Sequence, residues 1–285
     1  MIGHGRIQYP LSVIILTRNE VINIQRCIEA VSWCNDVVVV DDRSADGTDR
    51  LAMASGARVV QHPFIDFADQ RNWAMENADL KNEWVLHLDA DEVVTSELAS
   101  ELRQILSAES DACVAFRMCR KTMFQGTWLR YSDGFPVWIM RLVRKGKVGF
   151  RSSGHGEVAV PDVDGRLGTI REPFLHYAFS KGIGDWIERH NRYSSREAEL
   201  EYLTMQSLVW QDLWSVDRAR RRASLRALSR RLPLRPFLRF CYQYFIKLGF
   251  LDGSGGWTFS RLMATYEGWI VLKRQELERN SSHHP

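Results

Sequence analysis

Four short runs rich in β-branched and apolar residues, 11–16, 36–40, 57–61 and 83–88, alternate with segments of helical period. Ile24, Cys27, Ile28 and Val31 recur at i, i+3, i+4 and i+7, and Phe67, Trp73, Ala74 and Ala78 suggest a second amphipathic face. Strand and helix taken in turn predict an α/β fold: a mainly parallel central sheet flanked by helices, with ligands gathered beyond the carboxyl ends of the strands. After residue 106 shorter strands are expected at 112–118, 137–143, 148–150 and 157–160, so the parallel core gives way to a mixed region. A helix follows from Lys181 and continues towards Trp214. At 285 residues the chain accommodates one sizeable α/β domain, placed at 1–215, and a helical C-terminal region at 216–285.

Two of the strands end in carboxylates. Residues 84–92 read WVLHLDADE, and residues 37–48 read VVVVDDRSADGT. Alternate residues of an extended chain point the same way, so Asp89 and Asp91 share one face at the end of a buried strand. Oxygen ligands in that place suit Mg²⁺ or Mn²⁺, and such ions bind phosphate oxygens of a substrate. Two further carboxylates, Asp41 and Asp42, stand at the same edge, where a base or ribose is recognised; a polar turn that caps the next helix is the plainer alternative. No Gly-rich phosphate loop follows the first strand, which runs into Thr17-Arg18-Asn19-Glu20. That argues against a P-loop enzyme and against an NAD dehydrogenase.

Five cysteines without short paired spacing point to a reducing compartment. The apolar run at 11–16 is too short for a signal peptide, and no stretch has the roughly 18 apolar residues of a spanning helix. The expected location is cytoplasmic, either free or peripheral on the inner face of the cell membrane. Net charge is only +3, yet Arg218 to Leu251 contains no Asp or Glu and ten Arg or Lys residues. The tail reads as two apolar helices, 236–251 and 257–272, joined by the glycine-rich 252–256. In the first, Arg239, Gln243 and Lys247 form one polar stripe. This pattern suits a helical hairpin lying in an anionic membrane interface; a subdomain packed on the core is the alternative. Nucleic acid, a further partner for clustered arginines, is not expected.

Taken together, LSVIILTRNE, VVVVDDRSADGT, QRNWAMENA, LHLDADE, DGFPVWIMRLVRKGK, GHGE, LHYAFSKG and HNRYSSREA resemble an inverting family 2 glycosyltransferase of the GT-A fold. The resemblance is close to bacterial enzymes that extend the lipopolysaccharide core, and it runs from about residue 11 to residue 269. It implies a nucleotide-sugar donor, a lipid-linked glycan acceptor and a divalent cation. By matching positions, Thr17, Asn19 and Glu20 would line the nucleotide pocket, Asp42 would contact the base, and Arg71 would hold nucleotide or diphosphate. Asp89 would face ribose or metal, Asp91 would bind the metal, and His176 would be a further metal or phosphate contact. Inverting displacement at an anomeric carbon requires a carboxylate to take the acceptor's proton. Glu157 is the first candidate and Asp133 the second. Rival readings are transfer to a polyprenyl phosphate and a non-catalytic sugar-nucleotide-binding module.

Overall fold

The computed structural model describes residues 8–108, 113–153, 156–161, 165–204, 214–218, 220, 221, 224, 228, 232 and 234–282. The expected continuation of the Lys181 helix to Trp214, and Arg222, Arg226, Arg230 and Arg231, lie outside these residues. Two compact units are present: Met1–Trp128 with Phe135–Lys181, and Leu129–Gly134 with Gly182–Pro285. The division falls at Lys181, ahead of the 215/216 boundary read from sequence, because the helix beginning at Gly182 packs with the C-terminal helices.

The first unit is built on β1 (Tyr9–Thr17), β2 (Cys34–Asp41), β3 (Arg58–Gln61) and β4 (Trp84–Asp89). These pair in parallel in the order β3-β2-β1-β4. Their near-continuous apolar runs follow from burial on both faces. Leu11, Val13, Ile15, Leu86 and Leu88 belong to one apolar cluster, and Ile14, Leu16, Val38, Val40 and Val85 to the other, as the two-residue side-chain period requires. Helices α1 (Ile24–Ala30), α2 (Thr48–Ala54), α3 (Phe67–Asn77) and α4 (Ser96–Ser107) cover these faces. Asp66 caps α3 by accepting from the Asp69 amide, and Thr95 caps α4 through the Leu98 amide.

Beyond β4 the sheet turns mixed, as the change of pattern after residue 106 predicts. Next to β4 lies β8 (Val137–Arg144), antiparallel to it, and then β6 (Cys113–Phe124), antiparallel to β8. β12 (Phe174–His176) runs parallel to β6 and antiparallel to the short β5 (Glu92–Val93). Two further strands, β7 (Thr127–Trp128) and β11 (Arg166–Thr169), pair with β6, while β9 (Val148–Ser153) and β10 (Gly156–Pro161) form a separate hairpin.

The second unit contains α5 (Gly182–Thr204), α6 (Arg235–Cys241) and α7 (Gly253–Ser282). Arg235 lies between Glu201 of α5 and Glu267 of α7, and Lys273 of α7 donates to Asn191, Ser194 and Ser195 of α5. The expected hairpin joint at 252–256 is instead a short 3₁₀ turn, Gly249–Asp252, running straight into the first turn of α7. Close approach is the reason: a Cβ on Gly256 would collide with the Gly249 carbonyl. Between α6 and that turn, Tyr242–Ile246 is π-helical, with Lys247 N donating to Tyr242 O at 2.8 Å.

On this rod the direction of the polar stripe is fixed. Gln243 is buried and donates to the Ser132 carbonyl, and Lys247 lies against Gly134, so the stripe faces inward. What it holds is the loop Leu129–Gly134, whose Arg130, Tyr131 and Ser132 amides all donate to the Asp252 carboxylate. Among the described residues no helix is long and apolar enough to cross a membrane.

Candidate active site

Parallel register brings three strand ends into one row: Thr17 pairs with Asp41, and Leu16 with Asp89. The loops leaving β1 and β2 are then stitched together. Asn19, at a positive φ of 53°, donates its amide to Ser44 Oγ at 2.8 Å and accepts from Ala45 N at 2.8 Å. The Glu20 amide donates to Thr48 Oγ1, and the Glu20 carboxylate accepts from Asn23 Nδ2 at 2.7 Å and pairs with Lys181 Nζ at 2.6 Å. Burial raises the Glu20 carboxyl above its ordinary value, with the Lys181 hydrogen bond opposing. Thr17 is buried, and its hydroxyl has no partner among the described residues.

Asp41 and Asp42 separate in role. Asp41 is fully buried and accepts from the Ser44 amide and hydroxyl and from Gln61 Nε2, the turn-capping role considered from sequence. Asp42 accepts from Phe64 N at 3.0 Å and from the exposed Arg18 Nη1 at 2.7 Å.

At the end of β4 the charges interlock. Asp89 Oδ1 accepts from Arg71 Nη2 at 2.8 Å and Asp89 Oδ2 from Arg141 Nη2 at 2.7 Å. The same Arg141 nitrogen donates to Glu92 Oε1 at 2.6 Å, and Arg71 Nε donates to Glu157 Oε1 at 2.9 Å. Burial would raise the Asp89 carboxyl, but Arg141 and Arg71 hold it well below the usual carboxylate range. Glu92 goes the other way: burial, reinforced by the Asp89 charge and opposed by Arg141, pushes it up to about 7. His87, between these groups on β4, is fully buried with its ring edge-on to Phe150. Burial, then repulsion from Arg71 and Arg141, holds it well below the ordinary histidine value, so it is neutral.

Arg71, expected to hold nucleotide or diphosphate, is only 1% exposed; its Nη2 and Nε are bound to Asp89 and Glu157, while its Nη1 has no hydrogen-bond partner among the described residues. Asp89 was expected at ribose or metal; each of its oxygens accepts from a guanidinium group. Its side chain is 31% exposed, and the lone pairs left on it suit a ribose hydroxyl.

Asp91 and His176 stay together as expected. His176 Nε2 lies 3.5 Å from Asp91 Oδ2, because β12 pairs with β5 and the Tyr177 amide donates to the Asp91 carbonyl at 2.8 Å. Burial works against the imidazolium, yet the Asp91 carboxylate outweighs it and raises the His176 pKa. Glu157, on β10, is engaged by Arg71 and lies 3.7 Å from Arg141 Nη1. Asp133 belongs to the second unit, in the loop held by Asp252.

Residues 12–156 match the family model "Glycosyl transferase family 2". The chain belongs to that family. Among curated relatives, the lipopolysaccharide core biosynthesis glycosyltransferase LpsC of Rhizobium meliloti is 30% identical over 196 residues, covering 67% of this chain and 71% of that protein. An uncharacterized glycosyltransferase of Rickettsia typhi is 30% identical over 198 residues, covering 66% and 67%. The family 2 chain is therefore a glycosyltransferase, and its mixed sheet with flanking helices is of the GT-A type. Among solved structures, glucosyl-3-phosphoglycerate synthase from Mycobacterium tuberculosis, in complex with Mn²⁺, UDP and glucosyl-3-phosphoglycerate, aligns at 17% identity. It covers 69% of this chain and 79% of that one, with a TM-score of 0.45.

In this family 2 site, a cation would have two protein donors, Asp91 and His176; among the described residues no cluster of three acidic, His or Cys groups is present. That donor set fits Mg²⁺ or Mn²⁺, which are bound through one or two protein groups together with substrate phosphates. Octahedral ligands at about 2.1 Å stand about 3 Å apart, close to the Asp91–His176 spacing. Arg141 and Glu92 carried no assigned role in the sequence reading. The signal was present in VWIMRLV: a guanidinium inside an apolar strand requires carboxylate partners.

Proposed function

We propose that the protein is an inverting, metal-dependent glycosyltransferase that moves a sugar from a nucleotide-diphosphate donor to a lipid-linked glycan such as lipopolysaccharide core. The observation that carries this reading is the carboxyl-edge row in which Asp89, fixed by Arg71 and Arg141, stands two residues from the Asp91–His176 pair. Asp42 serves the base and Asp89 a ribose hydroxyl. Asp91 and His176 would hold Mg²⁺ or Mn²⁺, which when bound neutralises charge on the leaving diphosphate. Thr17 and the loop after it line the nucleotide side, and Lys181, itself paired with Glu20, adds positive charge there.

The acceptor hydroxyl loses its proton to a carboxylate as the new bond forms. Glu157, whose Oε1 accepts from Arg71 beside Asp89, is the first candidate for that carboxylate and Asp133 the second. The name of the rhizobial relative supports a glycan acceptor. Such an acceptor places the reaction at the inner face of the cell membrane.

A thermal-shift screen of sugar nucleotides with and without Mn²⁺ tests the donor and the metal, since a ligand of the folded state raises apparent stability. Turnover of Asp133→Asn and Glu157→Gln with the donor so found then tests the base. A fall of about 100-fold or more in kcat for Glu157→Gln is expected, within the range for removal of a general base. Full turnover by Glu157→Gln, with loss in Asp133→Asn at unchanged melting temperature, would move the base to Asp133.

A further inference from the structure

The rod from Leu234 to Ile246 is inside out. Leu234, Phe237, Leu238, Tyr242, Phe245 and Ile246 recur at i, i+3, i+4, i+8, i+11 and i+12, a single helical stripe, and every one of them is exposed. Phe237 retains 60% of its surface and Ile246 retains 71%. The polar residues of the same rod turn inward: Gln243 is buried on the Ser132 carbonyl and Lys247 lies against Gly134. Phe240 and Tyr244, also inward, stack on each other, meet the Trp257 ring edge-on and anchor the rod. A helix in water arranges itself the other way round. The polar contacts of the 129–134 loop fix the rod's orientation and commit its apolar stripe to the outside.

The stripe continues past the π-turn through Leu248, Phe250 and Leu251, all exposed. Isolated apolar residues on a surface need no explanation; a contiguous series of this length marks a contact. Charge selects the occupant. From Arg218 to Leu251 the sequence has ten Arg or Lys residues and no Asp or Glu; Arg235 is paired with Glu201 and Glu267 and Lys247 turns inward, while Arg218, Arg220 and Arg221 are exposed. A second copy meeting this stripe about a two-fold axis would bring the same cations towards each other. An anionic bilayer surface supplies both the apolar layer and the opposite charge.

We propose that the stripe Leu234–Ile246 is a monotopic membrane wedge that seats the protein in the interface of an anionic phospholipid bilayer. The purpose of such a wedge rests on the amphiphilic-acceptor reading above, but its test requires no activity. The full chain is floated with vesicles of phosphatidylcholine alone or with about 30% phosphatidylglycerol, a composition that supplies anionic head groups. Wild type is expected to float with the anionic vesicles, and the double variant Phe245→Glu with Ile246→Glu to lose about 100-fold in partitioning. The double variant Phe245→Leu with Ile246→Leu keeps the apolar stripe and retains binding. Because these side chains are exposed, melting temperatures of all three proteins should agree. Failure of wild type to float on anionic vesicles overturns the proposal, as does equal flotation of the Glu variant. So does a concentration-dependent dimer that the Glu variant abolishes in the absence of vesicle binding, which assigns the face to a second copy. Vesicle binding by a chain whose turnover needs no amphiphilic acceptor would uphold the wedge and remove the lipid-linked acceptor reading.

Discussion

Arg141→Met replaces a buried guanidinium by an apolar side chain of similar length. Arg141 is 5% exposed, and its loss strips the counter-charge from Asp89 Oδ2 at 2.7 Å and Glu92 Oε1 at 2.6 Å while both carboxylates stay where they are. Removing one partner of a buried ion pair costs about 3–5 kcal/mol. In a unit of this size each kcal/mol is worth about 2–4 °C, so the melting temperature should fall by about 6–20 °C at pH 8. The pH dependence has a definite sign. The folded pKa of Glu92 is raised from 4.5 to about 7, so its contribution to stability is fully present below pH 4.5 and is lost as pH rises through 7. Asp89, held below its ordinary value, contributes in the opposite sense, and that contribution is lost only as the solution becomes strongly acid. Without Arg141 the largest restraint on the rise of Glu92 is gone, leaving only His176 and the Asp89 amide, so the variant's deficit is largest at pH 8 and shrinks towards pH 5. Urea unfolding followed by circular dichroism at the two pH values measures it. A deficit under about 1 kcal/mol at pH 8, or one that grows on acidification, would refute an energetic role for this network.

Mn²⁺ should raise the melting temperature of wild type and of Glu157→Gln, but not of Asp91→Ala or His176→Ala; a full Mn²⁺ shift in Asp91→Ala by differential scanning fluorimetry would remove the metal from this pair. Asp252→Ala leaves three backbone amides of the 130–132 loop without their carboxylate and should cost about 3 kcal/mol or more, since hydrogen bonds to charged groups contribute about 1.5–3 kcal/mol each. Hydrogen exchange resolved to residues 130–132 checks it, and unchanged protection there would contradict the anchoring role.

The parallel strands were legible because burial on both faces writes them as unbroken apolar runs, and Asp89 and Asp91 were legible because the runs stop at them. The partners of those carboxylates were not. Arg71 and Arg141 reach Asp89 from α3 and β8, 18 and 52 residues away along the chain, and local spacing holds no record of such pairing. The same blindness left open which way the Arg239–Gln243–Lys247 stripe faces. Periodicity identifies that a rod has two faces, while the direction in which each points depends on a loop more than a hundred residues upstream.

That loop also has a consequence in time. Ser132 and Asp252 are 120 residues apart, and the carboxylate that gathers the loop's amides leaves the ribosome long after the strands on either side of it. At about 5–20 residues per second the amides of Arg130, Tyr131 and Ser132 wait about 6–24 seconds for their acceptor, bonded only to water. The parallel strands can pair early, but the segment that carries Asp133 takes its final form only after Asp252 has been made. A nascent chain that stops short of Asp252 therefore has its first strands in place and the 130–132 amides still unset.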